Sequence, residues 1–82
     1  MYGVISYWVG EYEPSKMWLY ATEKEATEAM KRLWEQSRKC AMEDENFDAE
    51  NTYCENGFAV VVWKDGLYRY FEVVKQSAKE EI

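Results

Sequence analysis

Apolar and polar residues alternate from Tyr2 to Val9 in a run rich in β-formers, which predicts a strand. Gly10 to Ser15 carries Gly, Pro and charges and reads as a loop. Met17 to Tyr20 is a short second strand, so the first twenty residues form a hairpin with a long connection. At Thr22 the period changes. Thr22 is a good N-cap, and Glu25 three residues later completes a capping box. Ala26, Ala29, Met30, Leu33, Trp34 and Ser37 then recur at helical spacing, and Cys40 and Ala41 extend the stripe. The spacing predicts a helix over 23–42. Its polar face offers Lys24/Glu28, Glu28/Arg32 and Glu35/Lys39 as i, i+4 pairs.

Residues 43–55 (EDENFDAENTYCE) hold six acidic side chains and no basic one, and Asn56-Gly57 closes them as a turn. A second hairpin follows. Phe58–Lys64 meets Leu67–Val74 across Asp65-Gly66, a pair suited to a two-residue type I′ turn. That turn predicts Trp63 opposite Tyr68, Val61 opposite Tyr70 and Val60 opposite Phe71. Ser77 to Ile82 reads as one frayed helical turn. The expected fold is α+β, a single domain over 1–82 in the order β-β-α-β-β. One helix packs on one face of a four-stranded antiparallel sheet of order 2-1-3-4.

A period of two sorts the strands into faces. Ile5, Tyr7, Val9, Met17, Leu19, Phe58, Val60, Val62, Leu67, Phe71 and Val73 make a mainly aliphatic set, expected under the helix. Tyr2, Val4, Trp8, Trp18, Tyr20, Val61, Trp63, Tyr68 and Tyr70 make a mainly aromatic set, expected to stay at least partly open because one helix cannot cover both faces. Such an open aromatic face suits a partner contact. The bland alternative is that cross-strand aromatic pairs merely stabilise the sheet, or that the acidic loop or the tail folds over it.

Composition narrows the chemistry. Sixteen acidic residues against ten basic ones give a formal charge of −6, which disfavours nucleic acid and anionic membranes and favours a basic partner. The sheet offers only Lys16, Lys64, Arg69 and Lys75 to a single-stranded nucleic acid, and no RNP-type pattern is present. No apolar run approaches the roughly 18 residues of a membrane helix. Met1-Tyr2-Gly3-Val4 leads straight into a strand pattern without a basic leader. A cytoplasmic setting is expected, with Cys40 and Cys54 reduced.

There is no His, so the usual neutral-pH base and the commonest metal ligand are missing. Cys40 lies on the apolar stripe and reads as inert core. Cys54, among Glu50 and Glu55, reads as a poor thiolate. The four glycines, at 3, 10, 57 and 66, make no phosphate loop. These observations argue against an enzyme, and no cofactor is implied.

Three readings compete for 43–55. It is a solvated connection. Or it is a calcium loop, with Asp44, Asn46, Asp48, Glu50, Thr52 and Glu55 at EF-hand-like positions, weakened by Ala49 where Gly is wanted, by Asn51, and by the strand that follows. Or it is a carboxylate array that imitates a phosphate backbone on a basic protein surface, extended by Glu25, Glu28 and Glu35.

The layout of hairpin 2–20, helix 23–42, acidic run 43–55 and hairpin 58–74 resembles small phage-encoded anti-defence proteins of the anti-CRISPR kind. Those are short, acidic and without catalytic motifs. The resemblance covers the whole chain as architecture only, and no motif or binding residue is carried over. It implies a stoichiometric inhibitor of a host nucleic-acid-binding complex, acting in the host cytoplasm. On that reading the aromatic set (Trp8, Trp18, Tyr20, Trp63, Tyr68 and Tyr70) anchors a basic protein partner, while Glu43, Asp44, Glu45, Asp48 and Glu50 steer it. The alternative is a structural homodimer formed through the aromatic face.

Overall fold

The computed structural model describes residues 1–10 and 15–75. Most of the predicted 10–15 loop and the predicted helical turn at 77–82 lie outside the described residues. Among the described residues, five strands and one long helix follow in order: β1 (Tyr2–Val9), β2 (Lys16–Tyr20), α1 (Glu23–Ala41), β3 (Tyr53–Cys54), β4 (Phe58–Val62) and β5 (Tyr68–Lys75), with a 3-10 turn at Ala49–Asn51 before β3. The class is α+β as expected. The sheet has five strands, not four, and its order is β2-β1-β5-β4-β3, antiparallel throughout.

The expected order 2-1-3-4 is therefore overturned. It placed the third predicted strand (now β4) beside β1, but β5 takes that place. The two longest strands, eight residues each, pair along their whole length, from Tyr2 opposite Lys75 to Val9 opposite Tyr68. This ladder satisfies more backbone groups than the five-residue β4 offers β1. The shorter strands sit outside it. Since neighbours alternate in direction, β2 and β3 run parallel at opposite edges, and α1 connects them across one face. Nineteen helical residues span about 28 Å, enough to cross five strands spaced about 4.8 Å apart.

The helix begins as its sequence dictates. The Glu25 N–H donates to Thr22 Oγ1 (3.1 Å), and the Thr22 N–H donates to Glu25 Oε1 (3.3 Å). Ala26, Ala29, Met30 and Ala41 are buried against Val4, Ala59, Val61 and Phe71 of the sheet. The Trp34 indole N–H donates to the Val60 carbonyl (3.0 Å). Cys40, expected in the core, is exposed instead. The three i, i+4 pairs are not the ones formed. Among the described residues the ion pair present is Glu35–Arg38, at i, i+3.

The largest correction concerns the second hairpin. Its register is Val62 opposite Tyr68, Val61 opposite Arg69, Val60 opposite Tyr70, Ala59 opposite Phe71 and Phe58 opposite Glu72. The turn is one residue longer than expected. The Trp63 N–H donates to the Leu67 carbonyl and the Gly66 N–H to the Trp63 carbonyl, leaving Lys64-Asp65-Gly66 as the loop. Only Gly66 there has positive φ, +95°. A type I′ turn needs two such residues. One fits the three-residue loop that ends in a left-handed glycine. A slip of one residue moves a strand's side chains to the other face.

Candidate functional site

The helix lies on the side holding Tyr2, Val4, Ser6 and Trp8 of β1, Trp18 and Tyr20 of β2, Ala59 and Val61 of β4, then Trp63, and Arg69, Phe71 and Val73 of β5. Four of the six expected anchors are thus turned toward the helix. Trp18, Tyr20 and Trp63 pack on the core cluster. The Trp8 ring lies 5.4 Å from that of Trp63 and lines a cleft with Ser37, Cys40 and Arg69 beside the helix. Tyr68 and Tyr70 alone remain on the other side.

Two residues explain the inversion. Ser6 is 3% exposed and accepts a hydrogen bond from Arg69 Nε (3.0 Å), while Arg69 Nη1 donates to Ser37 Oγ on α1 (3.1 Å). The guanidinium also lies over the rings of Trp8 (5.3 Å) and Phe71 (5.0 Å). A cation and a serine therefore occupy the helix side, held by hydrogen bonds and aromatic faces, where the sequence reading wanted aliphatics. Arg69 is accordingly not one of the cations available to a ligand crossing the free face.

No described element packs on the opposite face. Pairing arranges it in rows: Val9, Tyr68 and Val62; then Tyr7, Tyr70, Val60 and Tyr53; then Met17, Ile5, Glu72 and Phe58; then Leu19, Gly3 and Val74. Leu19 is 57% exposed, Met17 45% and Tyr53 44%. The rings form one continuous chain across four strands. Tyr7 stacks on Tyr70 at 5.3 Å, Tyr70 lies parallel to Phe58 at 5.8 Å, and Tyr53 meets Phe58 edge-on at 5.8 Å. Gly3 keeps the β1 backbone free for the Met17 side chain, whose Cε would stand 2.7 Å from a Cβ there. The free face is therefore not the aromatic set expected there: it carries Ile5, Tyr7, Val9, Met17, Leu19, Phe58, Val60 and Val62, all expected under the helix, and its rings are Tyr7, Tyr53, Phe58, Tyr68 and Tyr70 rather than tryptophans.

Among the described strand residues of this surface one is charged. Glu72 lies directly across from Ile5 and Phe58 and two residues along from Tyr70. No strand residue on this face, among those described, is Lys or Arg. Both neighbouring phenols titrate above their ordinary range. Burial raises Tyr7 first, then the Glu72 carboxylate. Burial also raises Tyr70 first, followed by Tyr7 and Glu72.

The acidic stretch is tied to the outer edge of β4. The Asp48 N–H donates to the Val62 carbonyl (2.9 Å) and the Lys64 N–H to the Asn46 carbonyl (2.6 Å), with Phe47 bridged to Trp63. The Val62 N–H donates to Thr52 Oγ1 (3.0 Å), which itself donates to the Asp48 carbonyl (2.8 Å). Glu43, Asp44, Glu45 and Glu50 are exposed and Asp48 is half-buried. The expected calcium positions do not converge. Asp44 Oδ1 accepts the Asn46 N–H (2.8 Å), Asp48 Oδ2 accepts from Asn51 (2.8 Å), and no three His, Cys, Asp or Glu side chains gather as a metal site among the described residues.

A scan of protein-family models finds no match to this chain, and neither curated proteins nor solved structures yield a similar one. No described helix is long and apolar enough to cross a membrane. The Cys54 thiol is pushed above its ordinary range, chiefly by burial; Lys31 opposes this and Glu35 adds to it. The carboxylate that adds to the shift, Glu35, belongs to the helix.

Proposed function

We propose that this chain is a protein-binding module that acts as a stoichiometric inhibitor, docking on a basic surface of a host nucleic-acid-binding complex of the RNA-guided defence kind. The single observation behind this reading is the sheet face on which no described element packs. It joins exposed Leu19, Met17 and Tyr53 to a ring chain of Tyr7, Tyr70 and Phe58. Contiguous apolar surface rich in tyrosine is the usual composition of an interface anchor. The net charge of −6 and the exposed carboxylates of Glu43, Asp44, Glu45 and Glu50 supply long-range attraction to a cationic partner. The contact residues proposed on the free face are Tyr68 and Tyr70, joined by Tyr7, Tyr53 and Phe58. Trp8, Trp18, Tyr20 and Trp63 support the sheet from behind.

The test is titration of the purified chain into target-DNA cleavage by a panel of RNA-guided nucleases, at two salt concentrations. Inhibition saturating at one chain per complex, weakened by salt and lost in Tyr70→Ser, supports the reading. Undiminished cleavage across the panel removes the inhibitory role. A second reading, a homodimer packed through the same face, is favoured by its apolar rows. Sizing with light scattering decides it, since a dilution-resistant dimer that Tyr70→Ser dissociates would replace the first reading.

A further inference from the structure

The free face is apolar at its rim and charged near its middle, and this mismatch says something about its occupant. Glu72 sits on the central strand β5, with Ile5 on one side and Phe58 on the other. Directly paired side chains on one face stand about 4.5–5.5 Å apart at Cβ, so a body covering the tyrosines also covers this carboxylate. A covered carboxylate without a cation is strongly disfavoured. The described strand residues of this face supply no Lys or Arg to pair with it.

A second copy is a poor source. Two such faces packed together about a two-fold axis would bring two Glu72 carboxylates into one interface and no lysine or arginine from the strands of either face. The sheet edges do not change this. Lys16 and Lys75 pair with Ser6 and Tyr2, which place them on the helix side, and Arg69 is turned toward Ser6 and Ser37.

The rings indicate which cation. Tyr7, Tyr70 and Phe58 stand nearly parallel, with interplanar angles of 22° and 2°. A flat guanidinium can stack on such rings and present its paired N–H groups to a carboxylate, whereas a compact ammonium cannot do both. Resting on the reading of this face as a docking surface, we infer that the partner presents an arginine within an otherwise apolar strip, and that Glu72, flanked by Tyr70 and Phe58, receives its guanidinium.

The experiment uses Nα-acetyl-arginine amide, with the lysine and citrulline amides as controls, titrated into the full chain and followed through its aromatic NMR resonances. The inference expects saturable shifts confined to Tyr7, Phe58 and Tyr70 with the arginine probe. The lysine probe should bind more weakly and neutral citrulline should give no saturation. Glu72→Gln, an isosteric change at a partly exposed position, should abolish the response. Shifts that are unsaturable, or equal in Glu72→Gln, overturn the inference. With a protein partner in hand, Glu72→Gln should weaken binding by about 30-fold or more, as for a buried charge pair that loses one member. Binding lost in Tyr70→Ser but kept in Glu72→Gln leaves the docking face standing and overturns the arginine. Binding indifferent to both overturns both. A dimer strengthened by Glu72→Gln identifies the occupant as a second copy and also overturns the arginine.

Discussion

The rings of Phe58 and Tyr70 lie 2° from parallel with centroids 5.8 Å apart, although they are diagonal rather than direct neighbours across β4 and β5. That offset matches the displaced stacking that aromatic quadrupoles favour. A double-mutant cycle with Phe58→Ala and Tyr70→Ala should return a coupling of about 0.5–1.5 kcal/mol in urea unfolding. A value indistinguishable from zero would mean that the rings are neighbours without being partners.

Gly66 ends the β4–β5 loop at φ +95°. A Cβ there meets nothing within 4 Å, so any penalty is one of backbone conformation alone. Gly66→Ala should destabilise the domain by about 1–2 kcal/mol, read from the denaturation midpoint. A neutral result would mean that the turn relaxes to a different register.

Thr52 couples the acidic stretch to the sheet by accepting the Val62 N–H and donating to the Asp48 carbonyl. Thr52→Val keeps the shape and removes both bonds. It should cost about 1–3 kcal/mol, because a part-buried N–H loses its acceptor. Thr52→Ser should restore most of the loss. Similar stability for Thr52→Val and wild type would show that solvent replaces the hydroxyl.

The phenols of Tyr7 and Tyr70 are held above the usual value of about 10, by burial first and by Glu72 among the charges. In the unfolded chain they ionise earlier than in the folded one. Their contribution is therefore fully present below pH of about 10 and is lost as pH rises through the folded values. Glu72→Gln should move both ultraviolet titrations to lower pH without reaching the free-tyrosine value, since burial persists. Unchanged titration curves would separate Glu72 from the two rings.

Trp63 faces the core cluster rather than a partner. Trp63→Ala should lower stability by roughly 2–3 kcal/mol, somewhat under the loss for a fully buried ring. Its effect on any partner should track the unfolded fraction. Weaker binding at unchanged stability would return Trp63 to the interface.

Much of the secondary structure was legible in the chain because its signals are local. The Thr22–Glu25 box and the Ala26–Met30 stripe set the helix to within a residue at each end. Which side of the sheet the helix covers was not legible, because that choice rests on pairs distant in sequence. Ser6 and Arg69, 63 residues apart, make a polar contact beneath the helix that neither strand's own alternation announces. The Asp65-Gly66 pair invited a two-residue turn, and the third loop residue, Lys64, shifted β4 relative to β5. Strand β3 escaped notice because two residues inside an acidic run carry no periodic signal. Its hydrogen bonds come from β4, which needed a partner on its outer edge.

The pairing of Tyr2 with Lys75 has a consequence for how the molecule comes into being. Among the described strands, the β2–β1 and β4–β3 ribbons share a hydrogen-bonded neighbour only in β5, which follows the other four in the chain. Until it arrives, β1 lacks one whole side of its hydrogen bonding and the two ribbons have no seam between them. The β1–β5 seam joins residues up to seventy-three positions apart in the chain, Tyr2 and Lys75, the kind of distant contact that slows folding. Fragments ending before Tyr68 should behave as separate hairpins rather than as a smaller version of this domain.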